Sequence, residues 1–142
     1  MRYALTLLLC LCLPHPAAAK DVIAGPLTGD VLEVLDGDTV TVRVHIWIGQ
    51  DVETHVRING IDTPEKRGKC VSERARAIEA RDALAALLAD GRIRLSNVQY
   101  EKYAGRVLAT ASASDGTAVA DYLISRKLAR PYSGGKRGGW CS

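Results

Sequence analysis

The sequence predicts a mainly β, α+β fold: a closed five-stranded Greek-key barrel with two to three helices packed against it. Three patterns carry that expectation. Val40, Val42, Val44, Ile46 and Ile48 alternate with Thr39, Thr41, Arg43, His45 and Trp47, and the alternation resumes at Val52, Thr54, Val56 and Ile58. A period of two marks strands with one buried face. Across residues 72–90 the period changes, with Ala77, Ala80, Leu84, Leu87 and Leu88 recurring on one helical face. Two further apolar runs and a second helical stretch follow, so the order is three strands, a helix, two strands and a helix.

Residues 1–19 read as a secretory signal peptide: Met1-Arg2 is a basic start, 4–13 an apolar run, and Ala17-Ala18-Ala19 a stretch of small residues for cleavage. The run is shorter than the ~20 residues that cross a bilayer, and Pro14 and Pro16 end it. An exported protein, periplasmic or secreted and free of the membrane once mature, is therefore expected. A leader covers 20–28 and the domain 29–132. Val31, Leu32, Val34 and Leu35 form the first strand, closed by Asp36-Gly37; Gly49-Gln50-Asp51 turns the second strand back into the third; Gly60 permits the exit to Asp62. Ser72 is the expected N-cap and Gly91 the stop of the first helix, with Glu73, Arg76, Glu79 and Arg81 toward solvent. Ile93, Leu95 and Val98 mark the fourth strand, Val107, Ala109 and Ala111 the fifth, and residues 118–127 a second helix. A helix inserted after the third of five strands fits a barrel of the OB type, a fold suited to oligonucleotides, with an open α+β sheet as the alternative.

The chain has 142 residues, with 19 Lys+Arg against 16 Asp+Glu and a net charge of +3, too balanced to imply a polyanionic partner by itself. The basic residues cluster instead: Lys66, Arg67 and Lys69, then Arg74, Arg76 and Arg81, then Arg130, Lys136 and Arg137. Cys10 and Cys12 fall in the signal, leaving Cys70 and Cys141. An even pair in an exported chain predicts a disulfide, with two free thiols as the alternative. The bridge would tie the glycine-rich basic tail, 133–142, beside residues 66–69. A monomer is the default.

Two acidic segments, Asp36-Gly37-Asp38-Thr39 and Asp62-Thr63-Pro64-Glu65, flank a strand carrying Arg57, and Arg106 follows a glycine further on. Each segment alone reads as a turn or a helix cap. Brought together, the carboxylates would raise one another's pKa unless a cation sat among them. Oxygen-only ligands with two arginines suit a hard divalent metal and a phosphate. His45 and His55 are expected to face each other across the hairpin as a surface pair, with no third nitrogen or sulfur ligand for zinc. Trp47 is expected to pack, with an exposed stacking platform as the alternative.

The motifs Val34-Leu35-Asp36-Gly37-Asp38-Thr39, Val56-Arg57-Ile58-Asn59-Gly60-Ile61-Asp62-Thr63-Pro64-Glu65 and Tyr103-Ala104-Gly105-Arg106-Val107-Leu108-Ala109 resemble the staphylococcal nuclease (thermonuclease) family, and Leu123-Ile124-Ser125-Arg126-Lys127-Leu128-Ala129 looks like its last helix end. The resemblance covers roughly residues 29–132. It implies an OB-fold, calcium-dependent endonuclease acting on DNA and RNA with one Ca2+ per site and leaving 3′-phosphate ends. It implies that Asp38, Asp62 and the Thr63 carbonyl hold the metal and that Asp36 supports them. Glu65 would orient or deprotonate the attacking water, while Arg57 and Arg106 grip the phosphate. Tyr103 and Tyr132 are possible substrate contacts. Ala104 is an extra residue between Tyr103 and Gly105-Arg106, and Lys127 stands where many relatives have glycine. A non-catalytic nucleic-acid-binding barrel is the alternative function.

Overall fold

The alternating segments pair into a closed sheet, and closure is what buries their apolar faces. The computed structural model describes residues 21–101 and 105–141. Its strands are β1 (Val22–Ile23), β2 (Leu27–Asp36), β3 (Thr39–Trp47), β4 (Gln50–Ile58), β5 (Ile61–Asp62), β6 (Arg92–Tyr100), β7 (Arg106–Ser112) and β8 (Arg130–Pro131). Its helices are α1 (Val71–Leu87) and α2 (Val119–Ser125). The signal segment, Tyr103 and the Ala104 insertion lie outside the described residues.

β2, β3, β4, β7 and β6 are neighbours in that order, and β6 returns to β2. Every pairing around the ring is antiparallel except β4–β7, which is parallel. Five strands and two helices thus form an OB-fold-like α+β barrel, and the β2–β6 and β4–β7 ladders exclude the open sheet. Val40, Val42, Val56 and Ile58 fill the barrel with Ile93, Leu95 and Ala109, none more than 2% exposed. Ala80, Leu84 and Leu88 from the α1 side and Val119 and Leu123 from α2 belong to the same buried set. Each buried aliphatic side chain of this size stabilises the fold by about 1.5–3 kcal/mol. Gly37 is required by proximity: a Cβ there would meet the Ala80 Cβ at 2.7 Å and Thr63 at 3.1 Å. The acidic turn 36–38 therefore lies flat against α1.

Several local expectations are corrected. β2 begins inside the supposed leader, pairing Leu27 with Leu95, and β1 pairs with the later part of β6, Val22 opposite Gln99. The β3–β4 ribbon runs past the barrel, since β2 stops pairing at Val44. Ile46, Trp47 and Ile48 are consequently 54%, 68% and 87% exposed, so Trp47 does not pack. The hairpin turns at Ile48-Gly49, earlier than expected, and this resets the register. His45 lies opposite Asp51, bonded at 2.7 Å, and His55 opposite Thr41, bonded at 3.0 Å; the two histidines do not face each other. The N-cap of α1 is Cys70 rather than Ser72. Glu73 is buried beneath the preceding loop, and Arg76 is half-buried.

Candidate functional site

The start of β3 and the end of β4 share a face, because Thr39 pairs with Arg57. Asp38 precedes Thr39, and its Oδ2 lies 2.8 Å from Arg57 Nη1 in an ion pair with both side chains buried. Arg57 Nη2 also donates to the Ile61 carbonyl at 3.2 Å, which fixes the guanidinium to the segment entering β5. The Thr39 hydroxyl donates to Asp38 Oδ1 at 3.0 Å, and the Asp38 amide donates to Asp36 Oδ1 at 3.3 Å. Burial pushes the Asp38 carboxyl above its ordinary value; Arg57 opposes this, and Asp36 adds to it by repulsion.

The parallel β4–β7 ladder places Arg106 beside His55 and Leu108 beside Arg57. Alternate residues of a strand share a face, so the two arginines project from neighbouring strands on the same side, outside the core. Arg106 rests on Glu101, with Nε and Oε2 2.6 Å apart.

β5 and β8 pair so that Asp62 lies opposite Arg130. Arg130 donates twice to Asp62 Oδ2, from Nη2 at 2.7 Å and Nε at 3.0 Å, and the Trp140 indole donates to the same oxygen at 3.1 Å. Arg137 Nε approaches Asp62 Oδ1 at 3.5 Å, while its Nη1 donates to Glu65 Oε1 at 2.8 Å. Asp62 is only 1% exposed. The loop between Glu65 and α1 is organised by Glu73, three residues past the N-cap. Its carboxylate accepts from the amides of Glu65 at 3.4 Å and Lys69 at 3.2 Å, which ties the loop to the first turn of the helix. Gly68 lies against it too closely for any Cβ.

Cys70 and Cys141 form a disulfide, Cα atoms 5.9 Å apart, which draws the tail to the start of α1. The guanidiniums of Arg130 and Arg76 lie over the Trp140 ring, 4.3 and 5.0 Å from its centre, and Arg130 holds the carbonyls of Gly138 and Gly139. The donor atoms of Cys70, Glu73 and Cys141 lie within 4.8 Å of one another, but the sulfurs are bonded together.

A cavity of about 370 Å³ collects Asp36, Asp38, Arg57, Thr63, Glu65 and Arg106 on its walls, together with Lys66, Arg67 and Arg137. Asp62 does not line it. Tyr132 points its hydroxyl at the Gly135 carbonyl, 2.7 Å away, with Arg137 5.8 Å above its ring. Three participants carried no site assignment from sequence: Arg130, Arg137 and Trp140. Their signal was indirect, since a tail bridged to Cys70 must pass residues 62–65. The chain matches no protein-family profile, and no curated protein matches it either.

Proposed function

We propose that this chain is an exported, calcium-dependent endonuclease that hydrolyses phosphodiester bonds of DNA and RNA. The observation that carries the reading is the convergence of Asp38, Glu65, Arg57 and Arg106, from separate stretches of chain, on one open cavity. Carboxylates of Asp38 and Asp62 and the Thr63 carbonyl would hold the cation, an oxygen-only donor set of the kind calcium takes. A buried carboxylate with a raised pKa, as at Asp38, is one whose charged form such a cation favours. When bound, calcium supplies positive charge beside the phosphate and the attacking water.

The remaining chemistry belongs to the chain's own residues. Arg57 and Arg106 present planar N–H pairs from neighbouring strands, suited to two oxygens of a phosphate. Without substrate they rest on Asp38 and Glu101, so phosphate has to share or replace those carboxylates. Their charge favours the pentacoordinate transition state, where negative charge accumulates. Glu65, more than half exposed, accepts a proton from water as its oxygen bonds to phosphorus. The bond to the 5′-oxygen breaks, that oxygen takes a proton from solvent, and a 3′-phosphate end remains. Tyr132, beside the tail, is a candidate for stacking on a base.

The competing reading is a monomeric barrel that binds nucleic acid without cutting it. The saturation of Asp62 by Arg130, Arg137 and Trp140 favours it, since buried ion pairs also serve as scaffold. Incubating the purified protein with single-stranded DNA or RNA, with calcium or with chelator, separates the two. Chelator-sensitive cleavage supports the nuclease. Binding with no cleavage in calcium, magnesium or manganese overturns it.

A further inference from the structure

Asp62 and Glu65 share one guanidinium, and that guanidinium comes from the tail. Arg137 bridges Glu65 at 2.8 Å and Asp62 at 3.5 Å and also lines the cavity with Asp38. Desolvation works against its charge, yet attraction from Asp62, Asp38 and Glu65 holds its pKa above the ordinary arginine value. It is a resident cation of the acidic cluster.

Of the three donors on Asp62, Arg137 is the one built to leave. Arg130 is fixed on β8 by the ladder to β5, and Trp140 neighbours the bridged Cys141 and carries two guanidiniums over its ring. Arg137 makes the longest contact with Asp62 and is 38% exposed. Its segment is anchored on one side, where Arg130 holds Gly138 and Gly139. On the other side lie Gly134 and Gly135, with φ of 104° and 90°, a pair that turns freely where other residues are strained. The bridge to Cys70 keeps the displaced arginine close, at the high effective concentration of a tethered group.

Resting on the nuclease reading above, we propose that Arg137 is a tethered competitor for the divalent-cation site, which calcium must displace from Asp62 and Glu65, and that the Cys70–Cys141 bridge sets the strength of that competition. A guanidinium against Asp62 repels a calcium ion held by the same carboxylate, and both draw on its charge. The site therefore carries its own threshold for calcium, written into the tail.

Calorimetric titration of the full chain with calcium chloride tests this without reference to cleavage. Arg137→Ala is expected to bind calcium roughly two- to fivefold more tightly than the wild type, the scale of a partly exposed ion pair. Cys141→Ser, which loosens the tether, is expected to tighten binding by a smaller factor, and Arg137→Lys to lie between wild type and Arg137→Ala. Equal or weaker affinity in Arg137→Ala overturns the competitor role but leaves the nuclease reading to stand on chelator-sensitive cleavage. An unchanged Cys141→Ser overturns the role of the bridge. No calcium binding by either wild type or Arg137→Ala overturns this proposal and the cation site together.

Discussion

Asp38 and Arg57 form a buried ion pair, 2.8 Å between Oδ2 and Nη1, that links the start of one barrel strand to the end of its neighbour. Removing one partner leaves the other charge buried without compensation. Arg57→Ala is expected to cost about 3–5 kcal/mol, read from urea unfolding. Removing both partners is expected to cost less than Arg57→Ala alone, because no orphaned carboxylate remains. A double variant as unstable as the sum of the singles would show that the two groups act independently.

The same pair gives a pH dependence with a defined sign. Burial, partly opposed by Arg57, raises the folded-state pKa of Asp38. Its contribution to stability is therefore fully present below the unfolded carboxylate value, about 3.9, and is lost as pH rises through the higher folded value. Stability of the wild type relative to Asp38→Asn is expected to decline across that window and then level. A difference that rises with pH there would reverse the assignment.

Glu65 is more than half exposed and meets Arg137 at 2.8 Å, so its replacement touches chemistry more than folding. Glu65→Gln is expected to lower the cleavage rate about 10²–10⁴-fold, with the unfolding midpoint little changed. Full activity in that variant would remove it as the base.

The bridge between Cys70 and Cys141 spans 71 positions. By the chain-entropy argument, a closed loop of this length is worth about 4 kcal/mol. Replacing both cysteines by serine is expected to lower stability by an amount of that order in denaturant titrations. A loss under about 1 kcal/mol would mean that the tail docks through Trp140 and Arg130 unaided.

Lys127 follows α2 with φ of 60°, in the left-handed region where a Cβ is unfavourable. Its amide donates to the Ile124 carbonyl at 2.9 Å, closing the helix end. Lys127→Gly is expected to raise stability by about 0.5–1 kcal/mol. A destabilised variant would place more weight on the lysine side chain than on its backbone.

The barrel was legible because Val40, Val42, Val44, Val56 and Ile58 alternate where both neighbouring strands cover them. The same alternation at Ile46 and Ile48 misled, since periodicity reports the pleat and not what packs on it. The histidine register depended on a turn one cannot place from alternation alone. In the site, Asp38, Arg57 and Arg106 stand at strand ends, where strand parity and a following turn already constrain them. Glu73 escaped because helical periodicity puts it on the polar side, and only the loop folded over the helix start buries it. Arg130, Arg137 and Trp140 meet Asp62 and Glu65 across 68 to 78 positions, and no local pattern encodes such a meeting.

Those separations also impose an order in time. A chain emerging from its N-terminus presents Asp38, Arg57 and Asp62 early, before β7 exists to close the barrel and before Arg130 exists to receive Asp62. The Trp140 contact and the cysteine bridge come later still. The Asp62–Glu65 end of the cluster is thus the part of the site finished last, and a nascent chain carries those two carboxylates long before it carries Arg130 and Arg137.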